Sequence, residues 1–118
     1  MEPYSTEEQI REVVDGFEKC TTPKEAFTHR DHLTVATWYL CHEDPTVALD
    51  QMREGLLRFL DHHGVGRVKY KEHLTVSWMT LVERSIEKMD AKLSIIERTN
   101  KVIHELGDSR LVADARSE

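Results

Sequence analysis

Apolar side chains recur at helical spacing along most of the chain, and no stretch keeps the two-residue alternation of a strand. Ser5, with Glu8 three residues later, has the pattern of a capping box at a helix start. The apolar positions behind it fall on one face and predict a first helix at about residues 6–20: Ile10, Val13, Val14, Phe17 and Cys20. Thr21, Thr22 and Pro23 end this helix.

A second helix is predicted to begin after Thr28, which can cap it together with Asp31 at the third helical position. His29 is then the first helical residue and His32 the fourth. This helix ends near residues 42–43. Because its apolar residues cover most of its sides, we expect it to be the central helix of the fold: Leu33, Val35, Ala36, Tyr39 and Leu40.

The third helix is predicted to begin at Asp44 and Pro45, an N-cap followed by proline at the first helical position. It carries an amphipathic stripe as far as residues 62–63, and Gly64 provides the left-handed residue that ends it. The fourth helix is expected to begin near residues 70–71.

Helical spacing continues from the fourth helix until Gly107. One long helix is an alternative, but it would far exceed the usual three turns, and we favour a break near residues 88–91 with Asp90 as a cap. Residues 108–118 are polar and are expected to fray. The sequence therefore predicts an all-α fold, a single compact bundle of about five helices in one domain spanning residues 1–118.

Composition excludes several classes of function. Sixteen basic against 22 acidic residues give a net charge of −6 without any basic run, so nucleic acid is not an expected partner. No apolar run reaches the roughly 20 residues of a membrane span, and the N-terminal residues lack a signal-peptide pattern. Cys20 and Cys41 have no metal-ligand spacing and indicate reduced thiols in a cytoplasmic protein, with a single disulfide as the alternative.

One short motif occurs twice. Arg30–Ala36 reads RDHLTVA and Lys71–Ser77 reads KEHLTVS, so each position is identical or a like-for-like exchange. A tryptophan follows each copy, Trp38 and Trp78. Two helices with related sequences tend to pack with related faces, so we expect their N-terminal turns to approach a common region.

The histidines of this region suggest a metal site. His29 and His32 are three residues apart, so they project from one side of one turn. The positive end of the helix dipole disfavours imidazolium, and neutral imidazole is the form that binds metal. Glu72 and His73 can complete a ligand set suited to divalent Fe, Mn or Zn in a helical bundle. The alternative is that one histidine caps the helix, the other is a surface residue, and the repeat serves packing.

Other residues near these helix starts can bind a small ligand. Tyr70, Lys71 and Arg30 can supply hydrogen bonds or positive charge to an anionic metabolite, or can equally be solvated. Glu72 can alternatively act as a general base or complement the helix dipole. The tryptophans are most simply core residues, although a tryptophan beside a cavity would shape a pocket. The remaining histidines lie near helix C-termini and are expected to act there as caps, with metal binding as the alternative for the adjacent pair His62 and His63: His42, His62, His63 and His104.

Two motifs resemble those of an uncharacterised group of small bacterial all-helical proteins. Residues 27–33, FTHRDHL, resemble the first motif of that group, Phe or Trp followed by x-His-x-x-His and then Leu or Val. Residues 70–75, YKEHLT, occupy the place of its second motif, Tyr-His-Glu-Thr-Ile-Thr, and residues 106–111 resemble a later Leu-x-Asp-Ser-Arg segment. The resemblance covers about Cys20 to Leu111 and implies motif residues rather than an activity.

The chain departs from the second motif at two positions. Lys71 replaces the histidine of the group, and His73 replaces its first threonine. Because two residues are separated by about 200° around a helix, His73 does not simply take the place of the missing imidazole unless the fourth helix starts later than residues 70–71. Tyr70, Glu72 and Thr75 match the group.

Two functions remain open from the sequence. The first is a histidine and carboxylate site at paired helix N-termini that binds a divalent metal or a small polar or anionic metabolite, with catalysis undecided. The second is a non-catalytic interaction or ligand-binding module in which the repeated motif is structural. A heptad-like stretch from Met79 to Ile103 can close the core or a homodimer, so the oligomeric state is open.

Overall fold

The computed structural model describes residues 2–112, which fold into a bundle of five α-helices and three short 3₁₀ turns. No strand occurs within this range, and the predicted all-α class is confirmed. The α-helices are α1 (Glu7–Glu18), α2 (His29–His42), α3 (Pro45–His62), α4 (Glu72–Glu87) and α5 (Ile95–Leu106). The 3₁₀ turns are Lys24–Ala26, Arg67–Lys69 and Ser109–Leu111.

Helix α1 begins one residue later than predicted. Thr6, not Ser5, is its N-cap: Thr6 Oγ1 accepts from the Gln9 N–H at 3.2 Å, and Gln9 Oε1 accepts from the Thr6 N–H at 3.1 Å. Gln9 Oε1 also accepts from the Ser5 N–H at 2.6 Å. The capping box predicted for Ser5 and Glu8 is therefore wrong, because an overlapping pair one residue on satisfies two backbone donors with one amide.

The predicted N-terminal caps of α2 and α3, and the glycine that ends α3, are confirmed. The Thr28 N–H donates to Asp31 Oδ2 at 3.1 Å in a capping box, so His29 is the first helical residue. Asp44 Oδ1 accepts from the Thr46 N–H at 2.9 Å, and Pro45 follows at the first helical position. Gly64 adopts a φ of 71° just beyond α3, a conformation that glycine tolerates.

The C-terminal part contains two helices and not one long one. Helix α4 ends at Glu87, and Ser94 caps α5 through a reciprocal pair with Glu97, at 3.1 Å and 3.0 Å. The favoured break is confirmed, but Asp90 is not the cap. Its carboxylate accepts from the Lys92 N–H at 2.9 Å inside the connecting turn. A cap at Asp90 would start the helix at residue 91, whereas α5 starts at Ile95.

The expected frayed tail is only partly described. Ser109–Leu111 form a 3₁₀ turn and Val112 is buried, whereas residues 113–118 lie outside the described range. Cys20 is buried and Cys41 is half-buried, and both are free thiols. Within residues 2–112 no helix is both long and apolar enough to cross a membrane.

Helix α2 is the central helix, as its apolar composition predicts. It packs against each of the other four α-helices, and the five consecutive residues from Leu33 to Thr37 are buried. Two of them are threonines, and their hydroxyls donate to backbone carbonyls of the same helix, Thr34 to Arg30 at 2.9 Å and Thr37 to Leu33 at 2.8 Å. The helix can therefore be buried on all sides without leaving these hydroxyls unpaired.

Three phenylalanine rings form a cluster beneath the N-terminus of α2. The Phe17 and Phe27 centroids are 4.9 Å apart, those of Phe27 and Phe59 are 5.1 Å apart, and those of Phe17 and Phe59 are 5.7 Å apart. Gly55 of α3 lets the Phe17 ring approach the helix backbone, since a Cβ there would lie 2.5 Å from Phe17 Cε2. The cluster joins α1 and α3 to the segment that leads into α2.

Replacing Gly55 with alanine should destabilise the protein by up to about 2 kcal/mol. The added methyl would overlap the fully buried Phe17 ring, and overpacking of this kind costs about 1 to 3 kcal/mol. The roughly 1 kcal/mol that alanine gains over glycine within a helix offsets part of this cost. Urea unfolding would measure the difference. The neighbouring exposed Glu54→Ala is the control and should change stability by less than about 0.5 kcal/mol.

Candidate ligand-binding cavity

A cavity of about 320 Å³ lies between α2, α3 and α4; we call it the inner cavity. Helix α2 and the residues before it supply two histidines and three apolar side chains, and α3 and α4 supply most of the remaining wall. Its lining residues are Phe27, His29, His32, Leu33, Ala36, Met52, Leu56, Leu74, Thr75, Trp78, Met79 and Val82. The cavity is thus mainly apolar, with only a few polar groups.

The two copies of the repeated motif both contribute to this cavity. His29 and His32 lie on the first turns of α2, and Leu74 and Thr75 lie on the first turn of α4. The expectation that the two N-terminal turns approach a common region is therefore confirmed. Trp78 also lines the cavity.

The two copies begin at different points of their helices. His32 is the fourth residue of α2, whereas His73 is only the second residue of α4. Thr75 is the fourth residue of α4, and it lines the inner cavity as His32 does. Because two residues differ by about 200° around a helix, His73 lies on another face and is exposed. Alignment of the two motif copies pairs His32 with His73. Counted from the helix start, however, Thr75 is the residue of α4 that corresponds to His32.

His29 connects the start of α2 to the end of α5. Its Nε2 lies 3.0 Å from the carbonyl oxygen of Leu106, to which a protonated ring nitrogen donates. Its ring contacts Trp78 edge to face, with 4.6 Å between centroids. His29 thus holds one wall of the cavity and satisfies a carbonyl in the last turn of α5.

His32 has no hydrogen-bond partner for its imidazole within residues 2–112, although its backbone is part of α2. Its ring packs on Phe27 with 4.5 Å between centroids. Burial by the surrounding atoms, with a smaller contribution from the nearby charge of His29, lowers the pKa of His32 to about 4. The ring is therefore neutral at pH 7 and faces an apolar cavity.

Glu72 is held by other partners at the surface. Arg53 of α3 donates to both of its carboxylate oxygens, at 2.9 Å and 2.5 Å, and the Tyr70 hydroxyl donates at 2.6 Å. The Arg53 hydrogen bonds first, and the Tyr70 bond second, lower the pKa of Glu72 to about 2. Its carboxylate is accordingly ionised and ion-paired, and it does not line the inner cavity.

The four predicted metal ligands do not converge on one point. His29 and His32 share the cavity, Glu72 is paired with Arg53, and His73 is on an exposed face. In the part of the chain that the structure describes, no group of three or more His, Cys, Asp or Glu side chains is placed to hold a metal ion. Binding of Fe, Mn or Zn stays a prediction, which metal analysis of protein purified without a histidine tag would test.

Arg30 lies at a different site from Tyr70 and Lys71. Its guanidinium donates to the carbonyl oxygen of Glu2 at 2.8 Å and lies over the Tyr4 ring at 4.1 Å from the centroid. It therefore holds the N-terminal segment against α2. The prediction that it shares a ligand site with Tyr70 and Lys71 is not supported by this placement.

Tyr70 and Lys71 line a second cavity of about 410 Å³, which we call the outer cavity. Five side chains line both cavities and form the junction between them: Phe27, His32, Leu56, Leu74 and Thr75. Two of the three predicted ligand-binding residues are therefore close to His32.

Sequence reasoning missed two parts of the site. The sequence indicates Thr75 only as a motif match, although its position in the helix places it at the junction with its hydroxyl 3.4 Å from the Lys71 carbonyl oxygen. Met52 and Leu56 belong to the apolar stripe of α3, whose periodicity predicts a buried face but not a cavity. Only the packing of α3 against α2 and α4 makes them ligand-contacting candidates.

Comparison with known proteins adds no family to this picture. A scan against protein-family models, a search of curated proteins and a search of solved structures each found no match. The resemblance to the bacterial helical group stays a prediction.

Proposed function

We propose that this protein binds a small organic molecule in the inner cavity, with an apolar body between α2, α3 and α4 and one polar group bonded to His32. The observation that carries the proposal is the neutral imidazole of His32, which faces the cavity without a partner in residues 2–112. The proposal favours a ligand-binding module over a metal centre.

The His32 side chain is half-buried and lines the inner cavity, where a ligand can reach its imidazole. A bound molecule that pairs with the imidazole gains one hydrogen bond, a net contribution of about 0.5 to 1.5 kcal/mol. A neutral imidazole has one donor and one acceptor nitrogen, so it can bind an amide, a hydroxyl or a carboxyl oxygen. The volume of about 320 Å³ falls in the range of about 300 to 1,000 Å³ that is usual for small-molecule sites.

Binding without turnover is the form of this function that the side chains favour. A group with a pKa of about 4 is a weak base at pH 7, since efficient general bases have pKa values near the working pH. The carboxylate nearest in sequence to the α4 wall, Glu72, is ion-paired with Arg53. His32 is therefore assigned the role of an orienting hydrogen-bond partner.

Titration with octanamide tests the proposal. The probe has a seven-carbon alkyl chain and a neutral amide that can both donate to and accept from His32. Trp78 lines the inner cavity, whereas Trp38 packs against His42, so a Trp38→Phe variant reports on the cavity alone. We expect a saturable change in Trp78 emission. In this background His32→Leu should weaken binding by about tenfold, the equivalent of one hydrogen bond of roughly 1.4 kcal/mol.

His104→Leu is the matched control, because His104 is exposed on α5 and lines neither cavity. It should leave the affinity for octanamide unchanged. The proposal fails if Trp78 emission does not saturate, or if His32→Leu and His104→Leu bind the probe equally well.

A further inference from the structure

The outer cavity is positively charged in an acidic protein. Three lysines line it, Lys24 and Lys69 from the first two 3₁₀ turns and Lys71 from the N-cap of α4. No Asp or Glu is among its lining residues in the described range, although the chain has 22 acidic residues and a net charge of −6. The three charges come from segments that are separate in sequence, and the fold brings them to one opening.

These lysines have no ion-pair partner in the part of the chain that the structure describes. Within residues 2–112 none of the three makes an ion pair or a side-chain hydrogen bond. Two of the lysines have an acidic neighbour in sequence, Glu25 beside Lys24 and Glu72 beside Lys71. Glu72 accepts a hydrogen bond from the Tyr70 hydroxyl at 2.6 Å. Arg53 already compensates the charge of Glu72 with two hydrogen bonds. The outer cavity therefore presents three lysines without ion pairs in the described range, an arrangement that favours an anion.

The two cavities meet at His32 and Thr75. Both side chains line the inner and the outer cavity, together with three apolar side chains at the same junction. A molecule that contacts His32 can therefore extend an apolar chain inward while its polar end faces outward. The inner end is apolar and the outer end carries the lysines.

We propose that the ligand is an amphipathic organic monocarboxylate, with its apolar chain in the inner cavity and its carboxylate at the junction, facing Lys24, Lys69 and Lys71. This inference rests on the proposed function and specifies its ligand class. The neutral imidazole of His32 donates its one N–H to a carboxylate oxygen, and the three ammonium groups compensate the negative charge. An amine of the same length is disfavoured by the same lysines.

Comparison of octanoate with octanamide tests the charge of the ligand, because the two probes share their chain and nearly share their shape. At low salt octanoate should bind about tenfold more tightly than octanamide to the Trp38→Phe protein. About 0.5 M NaCl should remove most of that advantage, since the lysines are exposed and therefore screened. Octanoate should also raise the pKa of His32, measured by NMR, whereas octanamide should not.

A triple variant identifies the lysines responsible. Replacing the three lysines of the outer cavity with glutamine should reduce the preference for octanoate to about twofold or less and leave octanamide binding unchanged. The matched control is a triple glutamine variant at Lys88, Lys92 and Lys101, which line neither cavity. It lowers the net charge of the protein by the same amount as the cavity variant. It should retain the preference.

The outcomes separate the two proposals. If octanamide binds and octanoate binds no more tightly, the monocarboxylate is rejected while the binding function stands. If the control triple variant loses the preference as fully as the cavity variant, the local lysine site is rejected, since net charge alone then accounts for it. If octanamide does not bind, the binding function itself is rejected, whatever the result with octanoate.

Discussion

Replacing His32 with leucine should remove an acid sensitivity of up to about 3 kcal/mol from the free energy of unfolding. Burial first, and the charge of His29 second, lower the pKa of His32 from 6.5 to about 4 in the folded protein. Below about pH 6.5 the unfolded chain binds a proton that the folded chain refuses, so stability falls as the pH falls. The loss is complete near pH 4, and each unit of pKa difference contributes about 1.4 kcal/mol.

Urea unfolding at several pH values between about 7 and 4 measures this effect. The original protein should lose stability across the window, and His32→Leu should show a smaller slope, whatever its stability at pH 7. His104→Leu, the exposed control, should retain the full slope. Equal slopes in the original protein and in His32→Leu would contradict the assignment, as would an NMR titration of His32 near pH 6.5.

Replacing Phe27 with alanine should destabilise the protein by about 3 kcal/mol and raise the pKa of His32. The Phe27 ring contacts Phe17, Phe59 and His32, so its loss opens a cavity in the cluster. It also removes the surface that covers the imidazole of His32. Water then reaches the ring, and the pKa rises from about 4 toward 6.5 because burial is the larger cause of its depression.

Phe17→Ala separates the two consequences of this substitution. Phe17 is fully buried, and its ring stacks on Phe27 but is not paired with His32. We expect a loss of about 3 to 5 kcal/mol for this variant with little change in the pKa of His32. NMR titration and urea unfolding of both variants check the pair. An unchanged pKa of His32 in Phe27→Ala would show that the Phe27 ring does not shield it.

Local sequence signals determine most of the fold. Thr28 with Asp31, and Asp44 with Pro45, fix the starts of α2 and α3 because the capping groups lie within three residues of one another. The continuous apolar character of α2 identifies it as the central helix, because a helix that is apolar on most of its sides is buried. The errors at Ser5 and Asp90 arise where several residues can cap and only the packed structure selects one.

The site is less predictable because its contacts join distant segments. The spacing of His29 and His32 correctly places both on one side of α2. Nothing near Glu72 in sequence indicates that Arg53, 19 residues earlier, would pair with it. Likewise, the contact of Arg30 with the Tyr4 ring depends on the path of the N-terminal segment.

The helix phase of the repeated motif has a consequence for tracing the ancestry of this chain. An alignment by residue identity pairs His32 with His73 and implies two equivalent halves. An alignment by distance from the helix start pairs His32 with Thr75 instead. The second alignment matches residues that share a cavity wall. Under the proposed binding function, relatives that keep histidine at the position of His32 and vary at the position of Thr75 are expected to differ in the ligand that they accept, even where their motifs read alike.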